Sequence, residues 1–244
     1  MEVIMLVGRV IIYWIIGFFL LSLAHELGHV VCGLIHGWKL SMLVVGPFKI
    51  YRETPDSKIK IGIEKNVMLW GGVGGTFPKE NDDNNIKVWG KILLAGPIVS
   101  IVVGTIAGAL CVFHHSLFLL MICAMSFGMG LICLIPSKMK TGITYTDGTR
   151  YKRLKSGGNE ALEEEALFML VEFSLFAKEE DLYPEKIINP LVNSKEPEFK
   201  YYGYYCLYHN AKINGDDEEK EKQCINMEQI KDKVPKIIIE SCKL

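Results

Sequence analysis

Three long runs of apolar residues occupy the chain up to Pro136, and polar residues dominate after it. The runs extend from about residue 10 to 35, from about 89 to 112 and from about 116 to 136. Each holds about twenty mostly apolar residues, enough for one helix to cross the hydrocarbon core of a bilayer. The pattern predicts an α-helical integral membrane protein with three transmembrane helices.

Shorter patterns predict the remaining elements. Between the first two runs, SMLVVGPFKIYRE and KIKIGIE concentrate β-branched residues around Pro55-Asp56, which favours a short cytoplasmic β-hairpin region. In the tail, EALEEEALFMLVEFSLFAKE has a helical period, and two further apolar-periodic segments flank Asn214-Gly215, which predicts a helical hairpin. We expect a transmembrane core over residues 1–150 and a small all-α soluble domain over residues 156–244.

Basic residues are distributed unequally around the three runs. They concentrate in the loop after the first run and in the chain after the third: Lys39, Lys49, Arg52, Lys58, Lys60, Lys65, Lys79, Lys87, Lys138, Lys140, Arg150, Lys152, Arg153 and Lys155. Only the second and third of the three passes separate these two regions, so both lie on one side, and an excess of Lys and Arg marks the cytoplasmic side. The loop and the C-terminal domain are therefore predicted to be cytoplasmic.

Composition excludes several classes of function. The net charge is -1, and no basic stripe with interleaved aromatic residues indicates a nucleic-acid partner. The seven cysteines are odd in number and include no C-x-x-C pair, so neither a disulfide framework nor a cysteine zinc site is predicted.

The first apolar run contains His25-Glu26-Leu27-Gly28-His29. On a helix the two imidazoles lie one turn apart on one face, where they can share a Zn²⁺ ion, and the glutamate can take a proton from water. Ionisable residues are costly in lipid and usually functional there. The alternative, polar residues that merely bond partner helices, is less favoured because the whole motif falls inside an apolar run.

A third zinc ligand has to come from the same depth and the same side of the membrane. The third run ends at Pro136 on that side, and Asp147-Gly148 follows shortly afterwards. If Asp147 folds back towards the two histidines, it would be the third zinc ligand and would leave the fourth coordination position open for water, as a catalytic zinc site requires. Taken alone, the pair is more typical of an ordinary Asp-Gly turn, but together with HELGH on the same side the ligand interpretation is favoured.

The intramembrane HELGH, the later AGPIVS, and CLIP followed by TDG resemble the site-2 protease family of intramembrane zinc metalloproteases. The resemblance covers about residues 10–150, and the family pattern is H-E-x-x-H, G-P-x-x-N, and N-x-x-P followed by D-G. It implies zinc ligands His25, His29 and Asp147, the base Glu26, and substrate contacts at Gly96 and Pro97.

The chain departs from this pattern at three points. Ser100 and Cys133 stand where the family has asparagine, and the segment from Pro136 to Asp147 is longer than usual. The inserted SKMKTGITYT would have to loop out and still deliver the carboxylate. The chain therefore resembles a divergent member with a minimal three-helix core.

The loop between the first two runs has two interpretations. In the family a membrane-associated sheet here is thought to receive substrate as an added strand, and a hairpin that simply covers the cytoplasmic face is the alternative. The glycines from Gly71 to Gly75 lack the G-K-[ST] of a phosphate loop. A flexible connection is the favoured interpretation for them, and the resemblance adds a role in lining the substrate approach.

The leading hypothesis is an intramembrane zinc protease in a bacterial cell membrane. It would act on membrane-embedded proteins or peptides within the lipid bilayer, and its C-terminal domain would be available to a protein partner. The alternative is a catalytically silent zinc-binding relative in membrane peptide binding, export or immunity, although a binding protein has no need of Glu26. An ion-transport subunit is less favoured because three helices without a repeat are atypical of transporters.

Overall fold

The computed structural model of the chain describes residues 2–79, 84–137, 140–141 and 144–242. The chain forms two compact units. The first contains Met1–Ser137 and Thr146–Tyr151, and the second contains Lys138–Tyr145 and Lys152–Leu244.

Three long helices form most of the first unit: α1 (Glu2–Ile35), α2 (Asn85–His114) and α3 (Leu117–Leu134). All three are long and apolar enough to span a membrane, which confirms the three predicted membrane helices. The first helix begins eight residues earlier than residue 10, because the apolar sequence extends almost to the N-terminus. The third ends before Pro136, whose ring is incompatible with a continuing helix.

Helices α2 and α3 form a tight hairpin. His115 adopts a left-handed conformation with φ 45° at the end of α2, and the Ser116 side chain accepts a hydrogen bond from the Leu119 N–H at the start of α3. Glycines let the helices approach closely, since a Cβ on Gly130 would lie 2.7 Å from the Ile101 side chain. Lipid would cover the apolar side chains that these helices leave exposed.

A four-stranded antiparallel sheet follows α1. Its strands are β1 (Lys39–Val45), β2 (Phe48–Tyr51), β3 (Lys60–Ile63) and β4 (Val73–Phe77), in the order β3-β2-β1-β4. The predicted hairpin around Pro55-Asp56 is the pair β2–β3, and a short 3-10 helix spans Val67–Leu69. The favoured interpretation of Gly71 to Gly75 as a flexible connection is wrong, because Val73 to Gly75 pair with β1 in a strand.

The sheet lies beside the second half of α1. Gly33 in α1 packs against Thr76 of β4 so closely that a Cβ there would overlap the threonine side chain. At the turn between β1 and β2, a Cβ on Gly46 would lie 3.1 Å from the Phe19 ring. The strands therefore run alongside the helix segment that carries the HELGH motif.

The second unit is helical, apart from the short strands β5 (Lys140–Thr141) and β6 (Thr144–Tyr145). Its helices are the last part of α4 (Asp147–Ser156), α5 (Gly158–Phe176), α6 (Glu185–Val192), α7 (Pro197–Asn214), α8 (Asp217–Ile230) and α9 (Lys236–Ser241), with a 3-10 turn at Lys231–Lys233. The predicted helical hairpin corresponds to α7 and α8. The core includes Leu191, Phe199 and Cys206, all fully buried.

Two buried ion pairs hold Arg153 in the second unit. Its Nε donates to Glu164 Oε1 over 2.9 Å, and its Nη2 donates to Glu163 Oε2 over 2.5 Å. The guanidinium also lies over the Tyr145 ring, with its Cζ 5.0 Å from the ring centroid. Burial would lower the pKa of Arg153, but the two carboxylates outweigh burial and raise it.

Candidate active site

His25 and His29 meet on one face of α1, inside the helix bundle. Both are buried, and their Nε2 atoms are 3.2 Å apart. The i,i+4 spacing of a regular helix produces this juxtaposition without any special backbone. The glycine between them lets α2 come close, because a Cβ on Gly28 would lie 2.8 Å from the Ala95 carbonyl oxygen.

The Nδ1 atoms of both imidazoles are bonded to α2. His29 Nδ1 donates to the Ile92 carbonyl over 2.6 Å, because a carbonyl can only accept. His25 Nδ1 lies 2.9 Å from Ser100 Oγ, which in turn donates to the Gly96 carbonyl over 3.2 Å. The serine proton is thus committed, so Ser100 accepts from His25. With Nδ1 bonded in this way, both rings can present the Nε2 lone pair to a metal ion.

Asp147 joins the two histidines from the start of α4. Its Oδ2 is 3.3 Å from His25 Nε2 and 3.6 Å from His29 Nε2. Burial would raise the pKa of this carboxyl, but the two neighbouring imidazoles hold it well below its ordinary value. The group is therefore an ionised carboxylate, the form that binds metal ions.

Hydrogen bonds next to α3 position the start of α4. The Ser137 N–H donates to Thr149 Oγ1 over 2.8 Å, and that hydroxyl donates back to the Ser137 carbonyl over 2.9 Å. Gly148 lies against the Leu134 carbonyl, where any side chain would overlap it. Position 148 therefore has to be glycine for α4 to approach the end of α3 this closely.

The insertion before Asp147 does not separate the carboxylate from the histidines. Ser137, the first residue of the inserted SKMKTGITYT, is bonded to Thr149, which follows the insertion. Residues 138–139 and 142–143 of this segment lie outside the described residues. The described residues on either side are enough to show that the chain returns to α3 before Asp147.

The three groups fit a zinc ion by geometry and by donor chemistry. Tetrahedral ligands with Zn–N and Zn–O bonds of about 2.0–2.1 Å lie about 3.3–3.4 Å from one another. The separations here are 3.2, 3.3 and 3.6 Å. Lone pairs that converge this closely repel one another, so either protons or a metal cation must lie among these three atoms. Two imidazoles and a carboxylate are also a ligand set typical of catalytic zinc.

Glu26 lies between this group and the sheet. It is half-buried, and the glycines of β4 and of the preceding turn pass directly beside it. A Cβ on Gly74 would lie 2.9 Å from Glu26 Oε2, and one on Gly72 would lie 3.0 Å from Oε1. An edge strand of the sheet therefore runs in contact with the carboxylate that the motif marks as a base.

Gly96 and Pro97, the predicted substrate contacts, occupy the part of α2 that faces α1. Gly96 packs against the His29 ring so tightly that a Cβ would overlap Nε2. Pro97 is fully buried within the helix. Their contact with substrate stays a prediction.

The structure adds three contacts to the site: Ser100 and Cys133 had no role predicted from the sequence, and Gly74 had only the role in lining the substrate approach that the resemblance implies for Gly71 to Gly75. Ser100 orients His25, Gly74 passes Glu26, and Cys133 lies near His25 and Asp147. The positions of Ser100 and Cys133 within the family motifs are the only sequence feature that could have identified them. No local pattern identifies Gly74, because its neighbour Glu26 is distant in sequence.

Comparison with protein families supports the resemblance and extends it. The chain matches the model of peptidase family M50 over residues 13–238, a longer stretch than the 10–150 suggested by the motifs. Comparison with curated proteins and with solved structures gives no match. Family M50 is the family of the site-2 proteases, which are intramembrane metalloproteases. The match covers most of the chain, and this protein therefore belongs to peptidase family M50.

Proposed function

We propose that this protein is a zinc endopeptidase that hydrolyses peptide bonds in or near the transmembrane segments of membrane proteins. The observation that carries the proposal is the convergence of His25 Nε2, His29 Nε2 and Asp147 Oδ2 at tetrahedral-edge distances. These three residues would hold the ion. Zinc bound there would lower the pKa of water towards neutrality and polarise the scissile carbonyl.

Glu26 is the residue that moves the proton in this proposal. It follows His25 directly, and its carboxylate lies against β4. As the water oxygen attacks the scissile carbon, Glu26 accepts a water proton and passes it to the amine nitrogen when the C–N bond breaks. Ser100 and the Ile92 carbonyl keep the imidazoles in the tautomer that the ligands require.

The edge of β4 is suited to hold the substrate. A transmembrane helix hides its carbonyls in internal hydrogen bonds, so the scissile segment has to unwind before water can attack. An unwound segment can add to a sheet edge through main-chain hydrogen bonds. In the described sheet β4 is an edge strand, and it contacts Glu26. Strand addition there would bring a peptide bond to the base.

The substrate is expected to be a single-pass membrane protein or a leftover signal peptide, with the C-terminal unit in the cytoplasm. The family implies a membrane-embedded substrate, and the basic residues of the loop and tail support the orientation. The site would then open towards the cytoplasmic half of the bilayer.

The test is zinc content and cleavage of a model transmembrane substrate by the full chain in detergent. Wild type should bind one zinc per chain and cleave. Glu26→Gln should keep the zinc and lose about 10²–10⁴-fold in rate, because it removes only the proton acceptor. Asp147→Ala should lose both zinc affinity and cleavage, and Glu53→Gln, in an exposed loop, should behave as wild type.

The other outcomes separate the alternatives. Zinc binding without cleavage, in wild type and in Glu26→Gln alike, would favour the catalytically silent relative, which keeps the ligands but not the reaction. Folded wild type that binds no zinc would contradict both interpretations.

A further inference from the structure

Cys133 lies in the last turn of α3, at the position where the family motif N-x-x-P has asparagine. The proline of that motif is present as Pro136, so the motif keeps its spacing and differs from the family pattern in the side chain at position 133. The thiol is half-buried and belongs to the first unit, as do the candidate ligands. The chain thus places a sulfur where the family places an amide.

The sulfur is close to two of the candidate zinc ligands. One ligand atom each from His25, Cys133 and Asp147 lie within 4.8 Å of one another. His29 is not part of this group, so the sulfur approaches from the side of His25 and Asp147. The fourth position of a tetrahedral site lies equally far from all three ligands, so the sulfur has to move towards His29 as well in order to occupy it.

A small movement would bring the sulfur into coordination. With a Zn–S bond of about 2.3 Å and Zn–N bonds of about 2.0–2.1 Å, a tetrahedral sulfur lies about 3.6 Å from its nitrogen neighbours. The separations from His25 and Asp147 are at most 4.8 Å, so the sulfur would have to come about 1 Å closer, and a change of the cysteine χ1 angle is the movement available to it. Thiolate is a stronger zinc ligand than water, and four protein ligands are typical of closed sites.

We propose that Cys133 is a fourth, displaceable ligand of the same zinc ion and holds the protease in a latent state. The proposal rests on the proposed function and concerns its regulation. When the sulfur binds, its proton leaves to solvent, and when water or the scissile carbonyl displaces the sulfur, the thiol takes a proton back. Asparagine at this position would leave the fourth site open at all times, so latency is a property of this chain's cysteine.

Cobalt substitution tests the proposal without relying on activity. The full chain in detergent is loaded with Co²⁺, and its near-ultraviolet sulfur-to-cobalt charge-transfer band is recorded beside the visible bands of tetrahedral cobalt. Wild type should show both. Cys133→Ala and Cys133→Asn should lose the sulfur band completely and keep the visible bands. Cys123→Ala is the matched control, because Cys123 lies on the same helix and packs near Gly108 of α2.

A second measurement keeps the test decisive if the variants fold poorly. Wild-type protein, metal-free or zinc-loaded, is treated with a membrane-permeant maleimide, and the modified cysteines are identified by mass spectrometry. Zinc should protect Cys133 and leave the labelling of Cys123 unchanged. Equal labelling of Cys133 in both states would overturn the proposal.

The failures of the two proposals are distinguishable. Wild type that binds cobalt tetrahedrally without a sulfur band overturns the role of Cys133 and leaves the proposed protease intact. Wild type that binds no cobalt or zinc overturns both. In a cleavage assay Cys133→Asn should exceed wild type in initial rate, and a rate below wild type would contradict latency.

Discussion

At the scale of single residues, the two histidines depend on different acceptors. His29 is oriented by a backbone carbonyl, that of Ile92, which no side-chain substitution removes. His25 is oriented by the Ser100 hydroxyl, the residue that replaces the family's asparagine. Serine therefore still supplies a buried polar acceptor, and the departure from the motif does not remove the support of the ligand.

Replacing Ser100 with alanine should weaken zinc binding about 10–100-fold, the usual effect of removing a partner that orients a metal-ligating histidine. Without its acceptor, the His25 ring is free to turn or to change tautomer. The zinc dissociation constant, measured by competition with a chelator, checks the prediction. Ser100→Asn, which restores the family residue, should retain most of the affinity.

Thr105→Ala is the control for Ser100→Ala. Thr105 also lies on α2 and donates to the carbonyl four residues before it, over 2.9 Å, but it is exposed and remote from the histidines. If Thr105→Ala and Ser100→Ala weaken zinc binding equally, the loss of affinity comes from a change in α2 itself and not from the orientation of His25.

At the scale of elements, the helices could be predicted from the sequence and β4 could not. Hydropathy and the i,i+4 spacing are local, so they predicted α1, α2 and α3 and the pairing of His25 with His29. Val73-Gly74-Gly75 contains one β-branched residue and two glycines, and glycine is depleted in strands. The segment nevertheless forms a strand because β1 pairs with it. Glycine stands at position 74 because a side chain there would overlap Glu26.

Gly74→Ala tests this close approach. The added Cβ would lie 2.9 Å from both the backbone oxygen and Oε2 of Glu26, so the carboxylate has to turn and β4 has to move away from α1. A misplacement of this order should lower the cleavage rate about 10²-fold, while zinc content stays unchanged because Glu26 is not a ligand in this proposal. Cleavage rate and zinc stoichiometry, measured on one preparation, check it.

The matched control for Gly74→Ala is Gly62→Ala on β3. Its nearest neighbour would be the Tyr51 ring at 3.4 Å, an ordinary contact. This variant should cleave at the wild-type rate. If Gly74→Ala also cleaves normally, β4 does not constrain Glu26.

At the scale of the whole molecule, the insertion before Asp147 limits what the sequence can predict. The chain departs after Ser137 and returns at Thr146, and the residues between them belong to the second unit. No periodicity in SKMKTGITYT indicates that return. It depends on the Ser137–Thr149 hydrogen bonds and on the fit of Gly148 against α3, which are tertiary contacts.

The distribution of charge leads to a prediction about topology. The turn at residues 113–116 contains no lysine or arginine, whereas the loop after α1 and the chain after α3 are rich in both. A fluorescent protein fused to the C-terminus should therefore fold and fluoresce in a bacterial host, because it stays in the cytoplasm. Alkaline phosphatase inserted after His115 should be active, because it needs the oxidising outer side to form its disulfides.

Charge added to the turn should weaken this topology if the basic residues cause it. Lysines in place of His114 and His115 would add two positive charges to a segment that has to cross the membrane, so phosphatase activity at the turn should fall. Glutamines at the same positions are the control and should leave it unchanged, since the rule depends on positive charge and not on polarity. Equal activity in both variants would mean that packing of α2 against α3 fixes the orientation instead.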